Sequence, residues 1–158
     1  MPSKTRAVPS GHRTVTPHLV VDDAIEAIDF YTRAFDAREM MRVEHDGKIR
    51  HAQIAIGNSR IMISDERPEA GLLGPRSIGG SPVRIFLYVA NADTFVGRAV
   101  AVGAKLRQQV DEKLYGDRSG SLEDPFGHTW QVASRREDVS AEEMQRRANS
   151  PADPADGG

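Results

Sequence analysis

Histidine is the one unperturbed side chain that exchanges a proton near neutral pH. The chain holds five: His12, His18, His45, His51 and His128. Cysteine is absent, which removes thiolate nucleophiles, disulfide frameworks and cysteine-held zinc or iron–sulfur centres, and fits a reducing compartment. His12 sits in a Pro/Gly/Ser-rich arm and His45 beside the turn pair Asp46-Gly47, so both are expected to be exposed and inert. His128 lies in the stretch YGDRSGSLEDPFGHTWQVAS, residues 115–134. There Asp124-Pro125-Phe126-Gly127 reads as a tight turn that starts a strand. Strand alternation sets Thr129, Gln131 and Ala133 on one face and His128, Trp130 and Val132 on the other. His128 is therefore not paired with Gln131, and Gln131 becomes the residue of interest.

His18 shares a strand face with Thr16 and Val20. It is a candidate metal ligand or general base, and equally a polar wall or a hydrogen-bonded structural histidine. In HAQIAI, alternation puts His51, Gln53 and Ala55 opposite Ala52, Ile54 and Ile56. His51 and Gln53 contact a ligand if their face lines a pocket, and are merely solvated if it does not. His18 and His51 are thus the candidate catalytic residues, and His18, His51 and Gln131 the candidate metal ligands, if register brings them together. Arg84, Phe86 and Tyr88 alternate on one face of VRIFLYV, a pattern suited to an apolar pocket with a single charged anchor. Tyr115 and the Tyr-Gly-Asp-Arg segment precede the last hairpin and are candidates for its rim, and Asp117-Arg118 is equally readable as a local turn ion pair of small energetic value.

The elements that position these residues occur twice. The first half runs from TVTPHLVV, a strand, to a helix capped by Asp23 with Glu26 in capping-box position. The apolar face of that helix holds Ala24, Ala27, Ile28, Tyr31, Ala34 and Phe35. Strands REMMRVEH, IRHAQIAI and SRIMIS follow, the first two joined by Asp46-Gly47, a strong hairpin signal. The second half repeats the order: VRIFLYV, a helix capped by Asn91 and stopped by Gly103, then strands near KLRQQV, SGSLED and HTWQVAS.

These patterns divide the chain into an arm over 1–13, a first module over 14–67, a breaker-rich connection over 68–82, a second module over 83–136, a terminal helix within 137–148 and a tail over 149–158. Both ends are expected to be flexible and the connection long and mobile. Ser140 caps the terminal helix with Glu143 completing the box.

Composition narrows the partners. The net charge is −2 with both signs interspersed, which does not make the basic stripe that nucleic acids require. No apolar run approaches the roughly 18 residues of a membrane span, and the N-terminus has no signal-peptide core. A soluble cytoplasmic protein without nucleic-acid or membrane partners is the expectation.

Two strand–helix–strand–strand–strand units resemble the vicinal oxygen chelate superfamily, in particular its PhnB-like glyoxalase/bleomycin resistance branch. The residues that carry the likeness are TPHLVVDDAIEAIDFYTRAFDA, HAQIAIGNSRIMISDE, and YGDRSGSLEDPFGHTWQVAS with EDVSAEEMQRR. The resemblance implies an α+β fold of two βαβββ modules, of the glyoxalase/bleomycin resistance/dihydroxybiphenyl dioxygenase type, forming a half-barrel cleft. It implies a homodimer as well. In the metalloenzymes of this superfamily, ligands project from the first and last strand of each module. Those positions fall here on Thr16, on Met62 or Ser64, on Arg84 and on Gln131. A guanidinium repels a cation, and glutamine brings no charge where a glutamate is usual. No cofactor is therefore favoured.

Two readings follow from the resemblance. The leading one is a metal-free binding protein that sequesters or recognises a small anionic or aromatic compound, with Arg84, Phe86, Tyr88, His51, Gln53, Tyr115 and Gln131 as ligand contacts. The alternative is a metal-dependent lyase, isomerase or dioxygenase with an atypical ligand set.

Overall fold

In the computed structural model, residues 4–150 are described. The expected tails at 1–3 and 151–158 lie outside the described residues. The chain divides into two compact units, Met1–Gly80 and Ser81–Gly158.

In the first unit, β1 (His18–Val21) is followed by α1 (Ala24–Phe35), β2 (Arg38–His45), β3 (Lys48–Ile56) and β4 (Ser59–Asp65), and the sheet order is β1-β4-β3-β2. β1 lies parallel to β4, and the β2–β3 and β3–β4 pairs are antiparallel hairpins. The first hairpin turns through Asp46 and Gly47 at φ 52° and 74°. Consecutive positive φ values match the right-handed strand twist and favour this Asp-Gly pair. α1 begins as its cap predicts, with the Asp23 carboxylate accepting from the Glu26 N–H at 3.1 Å. Its apolar stripe, including Ile28, Tyr31 and Phe35, packs on Leu19, Val21, Ala52, Ile54, Ile61 and Ile63, all buried. Because strands alternate, that packing leaves His18, His51, Gln53, Met62 and Ser64 together on the face away from the helix.

The second unit repeats the plan. After the helical turn α2 (Pro75–Ile78), β5 (Arg84–Tyr88), α3 (Ala92–Ala101), β6 (Lys105–Glu112), β7 (Asp117–Glu123) and β8 (Thr129–Arg135) form a sheet in the order β5-β8-β7-β6. Trp130, Val132 and Leu122 are fully buried with Val96 and Ala99 of α3 in its core. α4 (Ala141–Ala148) follows, its Glu143 N–H bonded to the Ser140 hydroxyl at 3.1 Å. No helix among the described residues is long and apolar enough to cross a membrane.

Two features differ from expectation. The run TVTPHLVV becomes strand only from His18, because Pro17 has no N–H to give a ladder; its carbonyl accepts instead from the Met62 N–H at 2.9 Å. Within 68–82 the breakers build turns: a 3-10 turn over Pro68–Ala70 and the α2 turn, with the Gly74 N–H donating to the Glu66 carboxylate at 2.7 Å.

The stretch DPFGHTW is held by one carboxylate. Asp124, 3 % exposed, accepts from the Phe126 N–H (2.9 Å) and the His128 N–H (3.0 Å) on Oδ1, and from the Trp130 indole N–H (2.8 Å) on Oδ2. His128 thus serves the turn through its backbone. Asp124→Ala leaves three donors without this acceptor and is expected to destabilise the second unit by about 3 kcal/mol. Urea unfolding followed through the emission of Trp130, the only tryptophan, measures this, with Asp124→Asn showing a smaller loss.

Candidate functional site

Each unit presents one sheet face that its helix does not cover, and the sequence-predicted residues fall on these faces. On the first sheet, His18 Nε2 and the buried Ser64 hydroxyl share a hydrogen bond of 2.8 Å. The His18 ring stands edge-on to the His51 ring, with centroids 6.4 Å apart. The Gln53 amide donates to His51 Nε2 at 3.1 Å, and its carbonyl accepts from His12 Nε2 at 3.0 Å. Apolar Met41 and Val43 of β2 pair with Gln53 and His51, so they border the same polar row. Of the candidates on this unit, His18, His51 and Gln53 are therefore brought together. Thr16 lies ahead of β1.

His12 is a correction. It was expected to be exposed and inert, but it is half-buried and bonded to Gln53. Nothing in the sequence signals this, because the arm has no periodicity that would place it on the sheet.

Three causes push the His18 pKa below the ordinary imidazole value: burial first, then the neighbouring His51 and the Arg67 guanidinium. His18 is thus a neutral imidazole at pH 7, able to accept a proton.

On the second sheet, Arg84, Phe86 and Tyr88 project on the same face as Thr129, Gln131 and Ala133, their partners across the parallel ladder. Gln131 is 3 % exposed and its amide is used at both ends. Its carbonyl accepts from Arg84 Nη1 at 3.4 Å, and its amino group donates to the Ser119 hydroxyl at 3.0 Å. Tyr115 reaches the same hydroxyl at 3.4 Å. Phe86 and Tyr88 lie with ring centroids 5.1 Å apart and remain 42 % and 59 % exposed. Arg135 covers the Tyr88 ring at 5.8 Å and pairs with the fully buried Asp117 at 2.8 Å. Among the described residues no carboxylate is paired with Arg84. All five candidates on this unit, Arg84, Phe86, Tyr88, Tyr115 and Gln131, thus share one surface.

Ser119 and Arg135 were missed as members of this surface. Their signal was available: Ser119 and Ser121 alternate within SGSLED on the Gln131 side of β7, and Arg135 continues the Gln131–Ala133 alternation. Asp117-Arg118 is corrected too. Asp117 pairs with Arg135, while Arg118 bonds Asp93 at 2.7 Å, because adjacent strand residues face opposite ways.

The two registers make the repeat explicit. His18 lies opposite Met62 in the first ladder, as Phe86 lies opposite Gln131 in the second. Met62 and Gln131 are therefore equivalent positions, and Thr16, two residues before His18, is equivalent to Arg84. None of these side chains is anionic, and the Gln131 carbonyl already faces a guanidinium. Among the described residues no three His, Cys, Asp or Glu side chains group so as to hold a metal ion. These residues do not fit the divalent cation of the superfamily's metalloenzymes.

The His18 shift has a defined sign. A base whose pKa is lower in the folded state contributes stability that is full above its unfolded value, near 6.5, and is lost as the pH falls through the folded value. The ring resonances of His18 are therefore expected to titrate below the ordinary histidine range. His18→Gln should flatten the fall in Tm between pH 7.5 and 5.5.

The model of the Glyoxalase/Bleomycin resistance protein/Dioxygenase superfamily matches residues 12–132. Rv0887c, an uncharacterized protein of Mycobacterium tuberculosis, is 41 % identical over 143 residues, covering 88 % of this chain and 84 % of that protein. The crystal structure of TioX from Micromonospora sp. ML1 is similar at TM-score 0.64 and 26 % identity, covering 78 % of this chain and 98 % of that one. The fosfomycin resistance protein FosX from Listeria monocytogenes, solved with Mn(II) and sulfate, shares the fold at TM-score 0.61 and 16 % identity over 87 % of this chain and 98 % of its own. With two βαβββ modules and a family match across most of its length, this chain belongs to the Glyoxalase/Bleomycin resistance protein/Dioxygenase superfamily.

Proposed function

We propose that the protein binds a small anionic aromatic compound on the exposed face of the second sheet, without a metal ion. The observation that carries this reading is Arg84. It is a cation with no carboxylate partner among the described residues, held against the Gln131 carbonyl at the head of the Phe86–Tyr88 pair. A guanidinium offers two parallel N–H groups to a carboxylate or phosphonate, and the adjacent rings offer area for stacking. Gln131 does not compete for the ligand's charge, because its carbonyl points at Arg84 and its amino group at Ser119. A glutamate at that position would pair with Arg84 and neutralise the anchor. The substitution of an uncharged amide is thus what leaves the anchor available.

Arg135 supports the same ligand class from the other end of the row. It lies over Tyr88, and its charge is already committed to Asp117, so it orders the ring more than it attracts an anion. Tyr115, bonded to the buried Ser119 hydroxyl, adds a neutral hydroxyl to the same unit.

Calorimetry with benzoate and phenylphosphonate, against their uncharged amide analogues, tests the proposal. The charged compounds should bind and the amides should bind at least about tenfold more weakly. Arg84→Ala should remove that preference, and Gln131→Glu should reduce it by pairing with Arg84. Binding that survives Arg84→Ala overturns the assignment. Metal analysis of protein purified without chelators forms the second arm. A stoichiometric divalent ion, with a rise in Tm on adding Zn, Ni, Mn or Fe, would replace this reading by a metal-dependent one.

A further inference from the structure

A cavity of about 230 Å³ lies in the first unit, where the β2–β3 hairpin meets the end of β4 and the 3-10 turn. Lys48 and Arg50 line it from β3, and Arg67 and Glu69 from the segment after β4. Arg50 owes its place to a bulge. Val43 pairs with His51 and Glu44 with Ile49, so Arg50 has no residue opposite it on β2. Such an extra residue bends the strand and re-aims its side chain. Arg67 is fixed through its backbone: its N–H donates to the Leu72 carbonyl at 2.8 Å, and its carbonyl accepts from the Leu72 N–H at 3.0 Å.

The lining is mixed in charge, and its acids and cations are used differently. Asp65 accepts from the Ala24 N–H on one oxygen and from the Ile49 N–H on the other. Glu66 accepts from the Gly74 N–H and the Ser77 side chain, and Asp46 faces the His45 ring nitrogen at 3.2 Å. Of the lining acids, only the exposed Glu69 is unanswered among the described residues. The cations are the reverse. Among the described residues no carboxylate pairs with Lys48, Arg50 or Arg67. The Arg67 Nε–H is shielded from solvent and meets no acceptor. That guanidinium has therefore given up water without gaining a counter-ion, a costly state that an anion relieves. The acids do not make a cation site instead, because among the described residues no three His, Cys, Asp or Glu side chains group to hold a metal ion.

We propose that this cavity is a second anion site, which takes the carboxylate or phosphate group of a small compound without a ring. Arg67 is the anchor, offering guanidinium N–H groups to the oxyanion, while Arg50 and Lys48 add charge. The volume lies below the roughly 300 Å³ at which drug-sized pockets begin. Ile49 is the only apolar side chain in the lining, so nothing there receives a ring. Glu69 opposes the anion and holds the affinity in the millimolar range. The site is independent of Arg84, which belongs to the second unit and is flanked by aromatic side chains.

Nuclear magnetic resonance of the nitrogen-labelled full chain tests this by titration with sodium phosphate and sodium acetate, against sodium chloride at matched ionic strength. The Arg67 Nε–H signal and the Ile49 and Arg67 amides should shift and saturate with phosphate or acetate, and not with chloride. The anion that saturates at the lower concentration names the group the site takes. Arg67→Gln, followed at the Ile49 amide, should weaken binding at least about tenfold. Arg67→Lys should cost less, because it keeps the charge without the planar fork. Arg50→Ala changes an exposed side chain and should weaken binding several-fold, which carries the test if Arg67→Gln does not fold. Glu69→Gln should tighten binding by removing the opposing charge. Arg84→Ala should leave these shifts unchanged, and the benzoate preference assigned to Arg84 should persist in Arg67→Gln, so either site can fail without the other. Absence of saturation with both anions overturns the proposal. Shifts that follow chloride equally, that survive both Arg67→Gln and Arg50→Ala, or that vanish in Arg84→Ala do so too.

Discussion

Each module depends on the hydrogen bond that ties the start of its helix to the end of its last strand. In the first, Asp65 is 5 % exposed and accepts from the Ala24 N–H at 2.9 Å on one oxygen and from the Ile49 N–H at 2.7 Å on the other. In the second, the buried Ser134 hydroxyl accepts from the Ala92 N–H at 2.7 Å. A helix N-terminus leaves backbone donors unpaired, and burying them without acceptors is costly. Satisfying one from the neighbouring strand fixes where the helix lands on the sheet. That choice decides which strand residues enter the core and which remain for chemistry. Asp65 goes further than Ser134, since its second oxygen also holds the start of β3 in place.

The same architecture, used twice, carries different chemistry on the two free faces. The first holds imidazoles, an amide and a hydroxyl, a set that moves protons and exchanges hydrogen bonds. The second holds a guanidinium, an aromatic pair and a neutral amide, a set that attracts and orients. The divergence is concentrated at equivalent positions: Thr16 against Arg84, His18 against Phe86 and Met62 against Gln131. A duplicated fold can vary these positions freely because their side chains point away from the core. The buried partners, such as Ile63 and Val132, are held by packing.

Much of the fold was legible in the sequence because its signals are local. Alternation separated His51 and Gln53 from Ala52 and Ile54, and the caps at Asp23, Asn91 and Ser140 bond the N–H groups their spacing indicates. The Arg84, Phe86 and Tyr88 face was readable in the same way, since a strand's two sides are set by parity. His12 was not legible, because its partner is 41 residues away and the arm has no period to place it. The bond from His18 to Ser64 likewise spans 46 residues and depends on the register of a parallel pair. Parallel pairing of β1 with β4 is not written in either strand, as no hairpin turn joins them.

The sequence by itself determined the element order, the repeat and the parity of every strand, since these follow from periods and turn residues a few positions apart. It also determined the residue identities at Thr16, Met62, Arg84 and Gln131, none of which is an acid. Tertiary structure alone decided which residues meet. It set Gln131 between Arg84 and Ser119, committed Asp117 to Arg135, and drew His12 onto Gln53. Those outcomes rest on ladder register and on how a burial left one donor facing one acceptor, and neither quantity is carried by a short stretch of chain.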